Sequence, residues 1–356
     1  MELAVGERVF PGGVLLVSEK GKIVFHKAYG KASIYSGVPV GKHTFFDLAS
    51  LTKPLATTLA VMKLVEENVL RLQDTLGKTL PEFKGTSKED ITVRQLLNHT
   101  SGFPDYQPYY QKLIPLSFNE RRRALKELLV NETLIHAPGK TTVYSDLGFM
   151  VLGWLVEAVS GHRLHSFLGK KIYSRMGLTN LFFIPINDQE IESETGNQEF
   201  AATEKCPWRG KVIEGVVHDD NAFAAGGVEG HAGLFGTAED VHRLLEDLLK
   251  TFNGKTGSGV LKREILHTFF KMPDKKNERP LGFDVPTPGD SSSGRFFSDN
   301  TVGHLGFTGT SFWMDLTRSI IVILLTNRIH PDRNNEKIKL FRPRLHDAVM
   351  QQLTGQ

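Results

Sequence analysis

Ser50 and Lys53, in Asp47-Leu48-Ala49-Ser50-Leu51-Thr52-Lys53-Pro54, are the side chains whose types and spacing point most directly to covalent chemistry. Residues three apart share one face of a helix, so the Lys53 nitrogen can reach the Ser50 hydroxyl. A serine hydroxyl is a poor nucleophile until its proton is removed. A lysine can remove it when burial or a nearby positive charge lowers its pKa. A helix start also offers backbone N–H groups and a positive dipole end, which favour an oxyanion beside Ser50. The pair alone is a weak signal, because a serine followed three residues later by lysine arises by chance about once in a few hundred residues. Ser50 is the only serine here with a lysine at that spacing.

Other polar groups carry less. His218, Asp219 and His231 lie in a stretch of small residues and glycine from His218 to Gly233, and their spacing fits no compact metal site, so they read as hydrogen-bonded scaffolding around close backbone contacts. His99, in the turn His99-Thr100-Ser101-Gly102-Phe103-Pro104, reads as a turn-stabilising residue. Lys255-Thr256-Gly257 sits in a glycine-rich connection without strand character, and a phosphate loop there fails because Leu249 stands where the first glycine belongs. No metal and no cofactor is expected.

The elements that must position Ser50 follow from periodicity. Leu55, Leu59, Met62, Leu64 and Val65 read as a buried helix whose first turn holds Ser50 and Lys53. Ahead of it, Val14–Val17 and Ile23–Ala28 read as a hairpin turning at Lys20-Gly21. Further on come a segment capped by Thr92, a helix over Ser117–Asn131 and a helix opened by Tyr144-Ser145-Asp146. Helices at Ala238–Leu249 and Lys262–Phe270 follow, then strands at Thr301–Gly306, Ser311–Asp315 and Ile320–Thr326 and a last helix near Phe341–Leu353. No regular pattern emerges from Phe182 to Gly215. Strands at both ends with helices between predict an α/β (α+β) fold: residues 1–54 and 230–356 form an antiparallel sheet flanked by helices, and 55–229 form an inserted, mostly helical region.

Composition bounds the partners. With 356 residues, 40% hydrophobic and 23% charged, the chain is an ordinary globular protein, and a net charge of +3 argues against nucleic acid. Arg121-Arg122-Arg123 reads as a solvated helix face. A single cysteine, Cys206, excludes an intrachain disulfide. Met1–Glu7 carries no basic, apolar leader pattern and no span is long enough for a bilayer, so the expected location is cytoplasmic, with no membrane span.

Three stations stand in order: Ser50-Leu51-Thr52-Lys53, Tyr144-Ser145-Asp146, and His304-Leu305-Gly306-Phe307-Thr308-Gly309-Thr310. With Leu96-Leu97-Asn98-His99-Thr100-Ser101-Gly102 and Gly230-His231-Ala232-Gly233-Leu234-Phe235-Gly236-Thr237, they make the chain resemble the serine β-lactamase and penicillin-binding protein superfamily from about Phe10 to Leu353. The likeness is strongest to the class C β-lactamase-like branch, with its esterases and D-aminopeptidases. It implies a β-lactamase/transpeptidase-like fold in which Ser50 is acylated and Lys53 is the base or holds the base active. Tyr144 shares the proton traffic, as a phenolate favoured by Lys53, and the N–H groups of Ser50 and Phe307 form the oxyanion hole, beside Gly306. An N-terminal helix that usually accompanies the C-terminal one looks nearly absent.

Two departures bear on substrate. Where the family commonly has Tyr-x-Asn this chain has Asp146, an acceptor-only carboxylate near the expected acyl group, which, if its side chain faces the site, disfavours amides that an asparagine would grip. His304 replaces the usual lysine of the third station and is largely neutral near pH 7, which weakens activity on carboxylate-bearing β-lactams. The expected function is a serine hydrolase acting on a small ester, amide, lactam or peptide-like substrate, carboxylesterase-like or peptidase-like rather than an efficient β-lactamase. The alternative is a ligand-binding module on the same fold that is acylated without turnover. Oligomeric state is not legible.

Overall fold

A computed structural model describes residues 1–186, 199–272, 279–287, 289 and 291–355. Two stretches remote in sequence build its main sheet. The N-terminal hairpin consists of β1 (Gly12–Glu19) and β2 (Lys22–Gly30), turning through Lys20 and Gly21 at φ +50° and +84°. That left-handed pair is what a two-residue hairpin turn requires. From the C-terminal third come β3 (Thr301–Leu305), β4 (Ser311–Asp315) and β5 (Ile320–Thr326), and the order β2-β1-β5-β4-β3 is antiparallel throughout. β5 reads Ile-Ile-Val-Ile-Leu-Leu-Thr without alternation because both of its faces are covered, and all of it is buried.

Beyond α1 (Glu2–Gly6), the larger helices are α2 (Leu59–Glu66), α3 (Phe118–Asn131), α4 (Asp146–Ser160), α5 (Ala238–Phe252) and α6 (Ile338–Thr354). α5 packs on one sheet face beside Leu16 and Ile323, and α6 closes the other through Met350 against Leu15 and Val322. The caps fall where expected: Thr92 accepts the Gln95 N–H at 3.2 Å, and Ser145 accepts the Gly148 N–H at 3.1 Å. A short N-terminal helix is present after all. α1 buries Ala4 in a cluster with Phe10 and Ile338, so a single turn covers the start of α6.

The turn holding Ser50 is less regular than its periodicity implies. Ala49–Leu51 forms a 3₁₀ turn and Lys53–Thr58 a π-type turn before α2 begins. Pro54 explains the break, since it has no N–H to donate to the Ser50 carbonyl and its ring would crowd that oxygen in an α-helix. A second small sheet, Phe46–Asp47, Leu234–Gly236 and Leu181–Phe183, joins the approach to Ser50 to the stretch that follows His231. Of the segment without regular pattern, 187–198 lie outside the described residues; its remainder holds short strands at Lys205–Cys206 and Lys211–Val212.

Candidate active site

The chain enters Ser50 through a strained residue. Ala49 has φ +48°, a left-handed conformation that costs a residue with a side chain about 1–2 kcal/mol. Asp47 holds it there: one carboxylate oxygen accepts the Ala49 N–H at 2.8 Å and the other the His218 N–H at 2.7 Å. Leu48 and Leu51, both fully buried, contribute about 1.5–3 kcal/mol each and outweigh the strain. The loop between β3 and β4 clamps the same turn, with Thr308 Oγ1 donating to the Asp47 carbonyl at 2.7 Å and Thr310 Oγ1 to the Leu48 carbonyl at 3.1 Å. Gly306 makes this approach possible, because a Cβ there would lie 2.0 Å from Thr310 Oγ1.

Lys53 is completely buried. Its Nζ donates to Ser50 Oγ at 2.9 Å and to the His231 carbonyl at 3.2 Å, and it forms an ion pair with Asp146 Oδ1 at 2.6 Å. Burial favours the neutral amine, but the Asp146 carboxylate and Tyr144 raise the pKa overall, so the resting group is an ammonium. A lysine with lowered pKa is therefore not what Ser50 meets. The Asp146 carboxylate lies against Lys53.

The glycine-rich stretch brings the His231 carbonyl to Lys53. A Cβ on Gly230 would lie 2.0 Å from the Phe149 carbonyl of α4, so only glycine lets this stretch lie on the helix. His231 Nε2 pairs with Asp219 Oδ1 at 2.9 Å, Asp219 also caps the Ala222 N–H at 2.7 Å, and His218 Nε2 pairs with Glu204 at 3.0 Å. These histidines are thus occupied as scaffolding.

Tyr144 immediately precedes the Ser145 cap of α4. His99 positions it: the ring nitrogen Nδ1 accepts the Ser145 N–H at 3.0 Å, its carbonyl accepts the Val143 N–H at 2.9 Å, and its ring packs 4.7 Å from the phenol ring. The Tyr144 hydroxyl faces both Lys53 and Ser50. Burial raises the phenol pKa and overrides the opposing pull of Lys53, so the phenol is protonated at neutral pH, against the phenolate anticipated from Lys53 alone.

Ser50, Tyr144, His304, Gly306 and Phe307 line one cleft of about 320 Å³. Burial, with help from Lys53 and Arg279, holds the His304 imidazole well below its usual pKa, so it is neutral. Its Nδ1 lies 2.9 Å from the Leu305 carbonyl, which can only accept, so the proton is on Nδ1 and Nε2 is left as an acceptor. Phe307 N–H donates to no acceptor among the described residues, while its carbonyl is held by Arg328 Nε at 2.8 Å. That N–H therefore stands without an internal acceptor among these residues, on a residue that lines the cleft with Ser50.

Sequence reasoning missed Arg279. Its guanidinium lies 5.5 Å over the Tyr144 ring, pairs with Asp284 at 3.1 Å and lines the cleft with a side chain 26% exposed. No periodicity or motif surrounds it. Lys255-Thr256-Gly257, by contrast, lies as expected in the irregular connection between α5 and the helix Arg263–Phe269.

The sheet built from both chain ends, with the Ser50 turn, the Tyr144 helix start and the β3 edge converging on one cleft, agrees with what comparison of whole chains finds. Residues 1–342 match the Beta-lactamase family. The chain belongs to the β-lactamase family. Among its relatives, a protein of Escherichia coli (strain K12) named "Putative D-alanyl-D-alanine carboxypeptidase" is 30% identical over 346 residues, covering 90% of this chain and 79% of that protein. A Salmonella typhi protein of the same name is 30% identical over 358 residues, covering 92% and 81%. In fold, this β-lactamase-family chain resembles EstCE1, "a hydrolase with promiscuous acyltransferase activity" (TM-score 0.75, 24% identity, 98% of this chain and 96% of that one). It also resembles the octameric penicillin-binding protein homologue from Pyrococcus abyssi (TM-score 0.70, 22% identity, 96% and 75%). No helix among the described residues is long and apolar enough to cross a membrane.

Proposed function

We propose that this chain is a serine hydrolase in which the carbonyl carbon of an ester, amide or lactam is attacked by Ser50 and the acyl-enzyme is released by water. The observation that carries the reading is the buried Lys53 Nζ 2.9 Å from Ser50 Oγ, with Ser50 lining a cleft beside Tyr144, His304 and Phe307. In this reading the N–H groups of Ser50 and Phe307 receive the oxyanion, Lys53 governs the Ser50 proton, and the protonated Tyr144 hydroxyl supplies a proton to the leaving group. A neutral His304 favours neutral esters and amides over efficient β-lactam hydrolysis. The curated relatives, named as carboxypeptidases, support a peptidase-like activity in which Arg279 meets a substrate carboxylate; likeness to EstCE1 bears only on the fold.

The deciding experiment is a time course with p-nitrophenyl acetate, p-nitrophenyl butyrate and a chromogenic cephalosporin on the wild type and Ser50→Ala, with intact-mass detection of adducts. Ester turnover should exceed lactam turnover and fall at least about 10³-fold in Ser50→Ala. Full activity in that variant overturns the mechanism. A lasting adduct on Ser50 without turnover would establish the ligand-binding alternative, which the fully paired resting Lys53 also accommodates.

A further inference from the structure

Lys53 poses a valence problem. An ammonium has three N–H bonds and no lone pair; here it donates to Ser50 Oγ at 2.9 Å and to the His231 carbonyl at 3.2 Å and forms an ion pair 2.6 Å from the Asp146 carboxylate. A group in that state cannot accept the Ser50 proton. Tyr144, protonated in the resting site, cannot accept it either. Of the oxygens around Nζ, the His231 carbonyl and the Ser50 and Tyr144 hydroxyls are far too weakly basic to take a proton from an amine, whereas a carboxylate can. The pair is shielded, with Lys53 fully buried and the Asp146 side chain 20% exposed, so the neutral acid–amine form is less disfavoured than it would be in water.

We infer that Asp146 is the proton store that makes Lys53 a base, so that Lys53 and Asp146 act as one relay in place of a free amine. This rests on the reading of Ser50 as nucleophile. During attack the Ser50 O–H bond breaks and its proton goes to Lys53 Nζ, as Lys53 passes another to Asp146 Oδ1; the Oγ–C bond forms and the carbonyl electron pair moves to oxygen. On collapse the bond to the leaving group breaks, and that group takes the Tyr144 proton. Tyr144 is reprotonated by Lys53, and Lys53 by Asp146. The net result is an acyl-Ser50, a leaving group carrying the proton from Tyr144, the serine proton kept among Lys53 and Tyr144 in its place, and the resting ammonium–carboxylate pair. Water repeats the cycle in deacylation. Asp146 is thus a positioning and proton-holding residue that acts through Lys53.

The groups facing the pair are Tyr144 ahead of α4, Ser50 on its turn, His231 with Asp219 behind it, and the imidazoles of His99 and His304, both held well below their usual pKa by burial. Burial would lower the His231 pKa, but Asp219 and, after it, Asp146 raise it, so Asp146→Glu, which keeps that charge, is the control. The test is kcat/KM for p-nitrophenyl butyrate from pH 5.5 to 9.5 in wild type, Asp146→Asn, Asp146→Glu and Ser50→Ala. Wild type should change less than about threefold between pH 8 and pH 6, because the relay needs no proton lost to solvent. Asp146→Asn must wait for Lys53 to lose its own proton, so it should fall at least about tenfold over the same interval and recover as pH rises. Asp146→Glu should restore the wild-type profile. Coincident profiles for wild type and Asp146→Asn would overturn the relay, and so would a wild type whose activity falls tenfold on its own between pH 8 and pH 6. Ser50→Ala separates the two levels: if it is inactive while the profiles coincide, only the relay fails, and if it is active, the hydrolase reading fails with it.

Discussion

A neutral imidazole at His304 moves the question of charge in the cleft to another residue. Among the cations that line the cleft with Ser50, Arg279 lies over the Tyr144 ring, is partly engaged with Asp284 and is still 26% exposed. A charge-assisted contact at such a half-wet position is worth about 1–1.5 kcal/mol, or roughly tenfold in binding. Arg279→Gln should therefore raise KM about tenfold for p-nitrophenyl hemisuccinate, whose free end is a carboxylate, and by less than about twofold for the butyrate ester. Equal changes for both esters would remove Arg279 from substrate recognition. The residues of the site were unequally legible. Ser50 and Lys53 declare themselves through an i, i+3 spacing that is local, and Tyr144 and Phe307 stand in short phrases with fixed order. Arg279 has no local signal, since its place over Tyr144 depends on the path of an irregular loop.

At the scale of elements, the same capping chemistry serves two different ends. Ser145 starts α4: its Oγ accepts the Gly148 N–H at 3.1 Å and donates to the buried Pro104 carbonyl at 2.6 Å, one residue from the phenol of the site. Ser117 starts α3 on the surface, where its hydroxyl donates to Glu120 at 2.6 Å. Ser145→Ala should cost about 1–2 kcal/mol of stability, and Ser117→Ala about 0.5–1 kcal/mol, read from urea midpoints. Only Ser145→Ala should also lower kcat, because only that cap fixes the approach to Tyr144. A kcat unchanged in Ser145→Ala would show that His99 alone suffices to hold the ring. Elements of this kind were readable because caps and apolar spacing are local: β4 and β5 fall at Ser311–Asp315 and Ile320–Thr326 as periodicity predicts. The 3₁₀ and π turns around Ser50 were not, since periodicity fixes a buried face without fixing which backbone carbonyl each N–H meets. Pro54 was the only hint.

For the whole molecule, strands at both ends of the chain were enough to expect a sheet closed by distant segments, but not which polar groups its covering helices would bury. Each helix that closes the main sheet carries a buried histidine. His242 in α5 and His346 in α6 are both pushed down to about 4, chiefly by burial. His346 has Nδ1 2.7 Å from the Ser292 carbonyl and Nε2 without a partner among the described residues, so a second proton there has no acceptor. The sign follows from proton uptake. Below an ordinary histidine pKa of about 6.5 the unfolded chain binds a proton that the folded chain refuses until about pH 4, so stability falls through that window by up to about 1.4 kcal/mol per pH unit for each histidine. His231 has the opposite shift: burial would lower its pKa, but Asp219 raises it, so its contribution is complete below about pH 6.5 and is lost only as pH rises. It therefore does not mask the acid slope. Urea unfolding at pH 6.5, 5.5 and 4.5 should give His346→Gln a stability curve shallower than wild type by about 1 kcal/mol per pH unit, with the double variant His242→Gln and His346→Gln about twice as shallow. Carboxyl titrations, common to all three proteins, cancel in the difference. Parallel curves would mean that the native structure opens to solvent around both helices before it unfolds, and that α5 and α6 do not seal the sheet in acid.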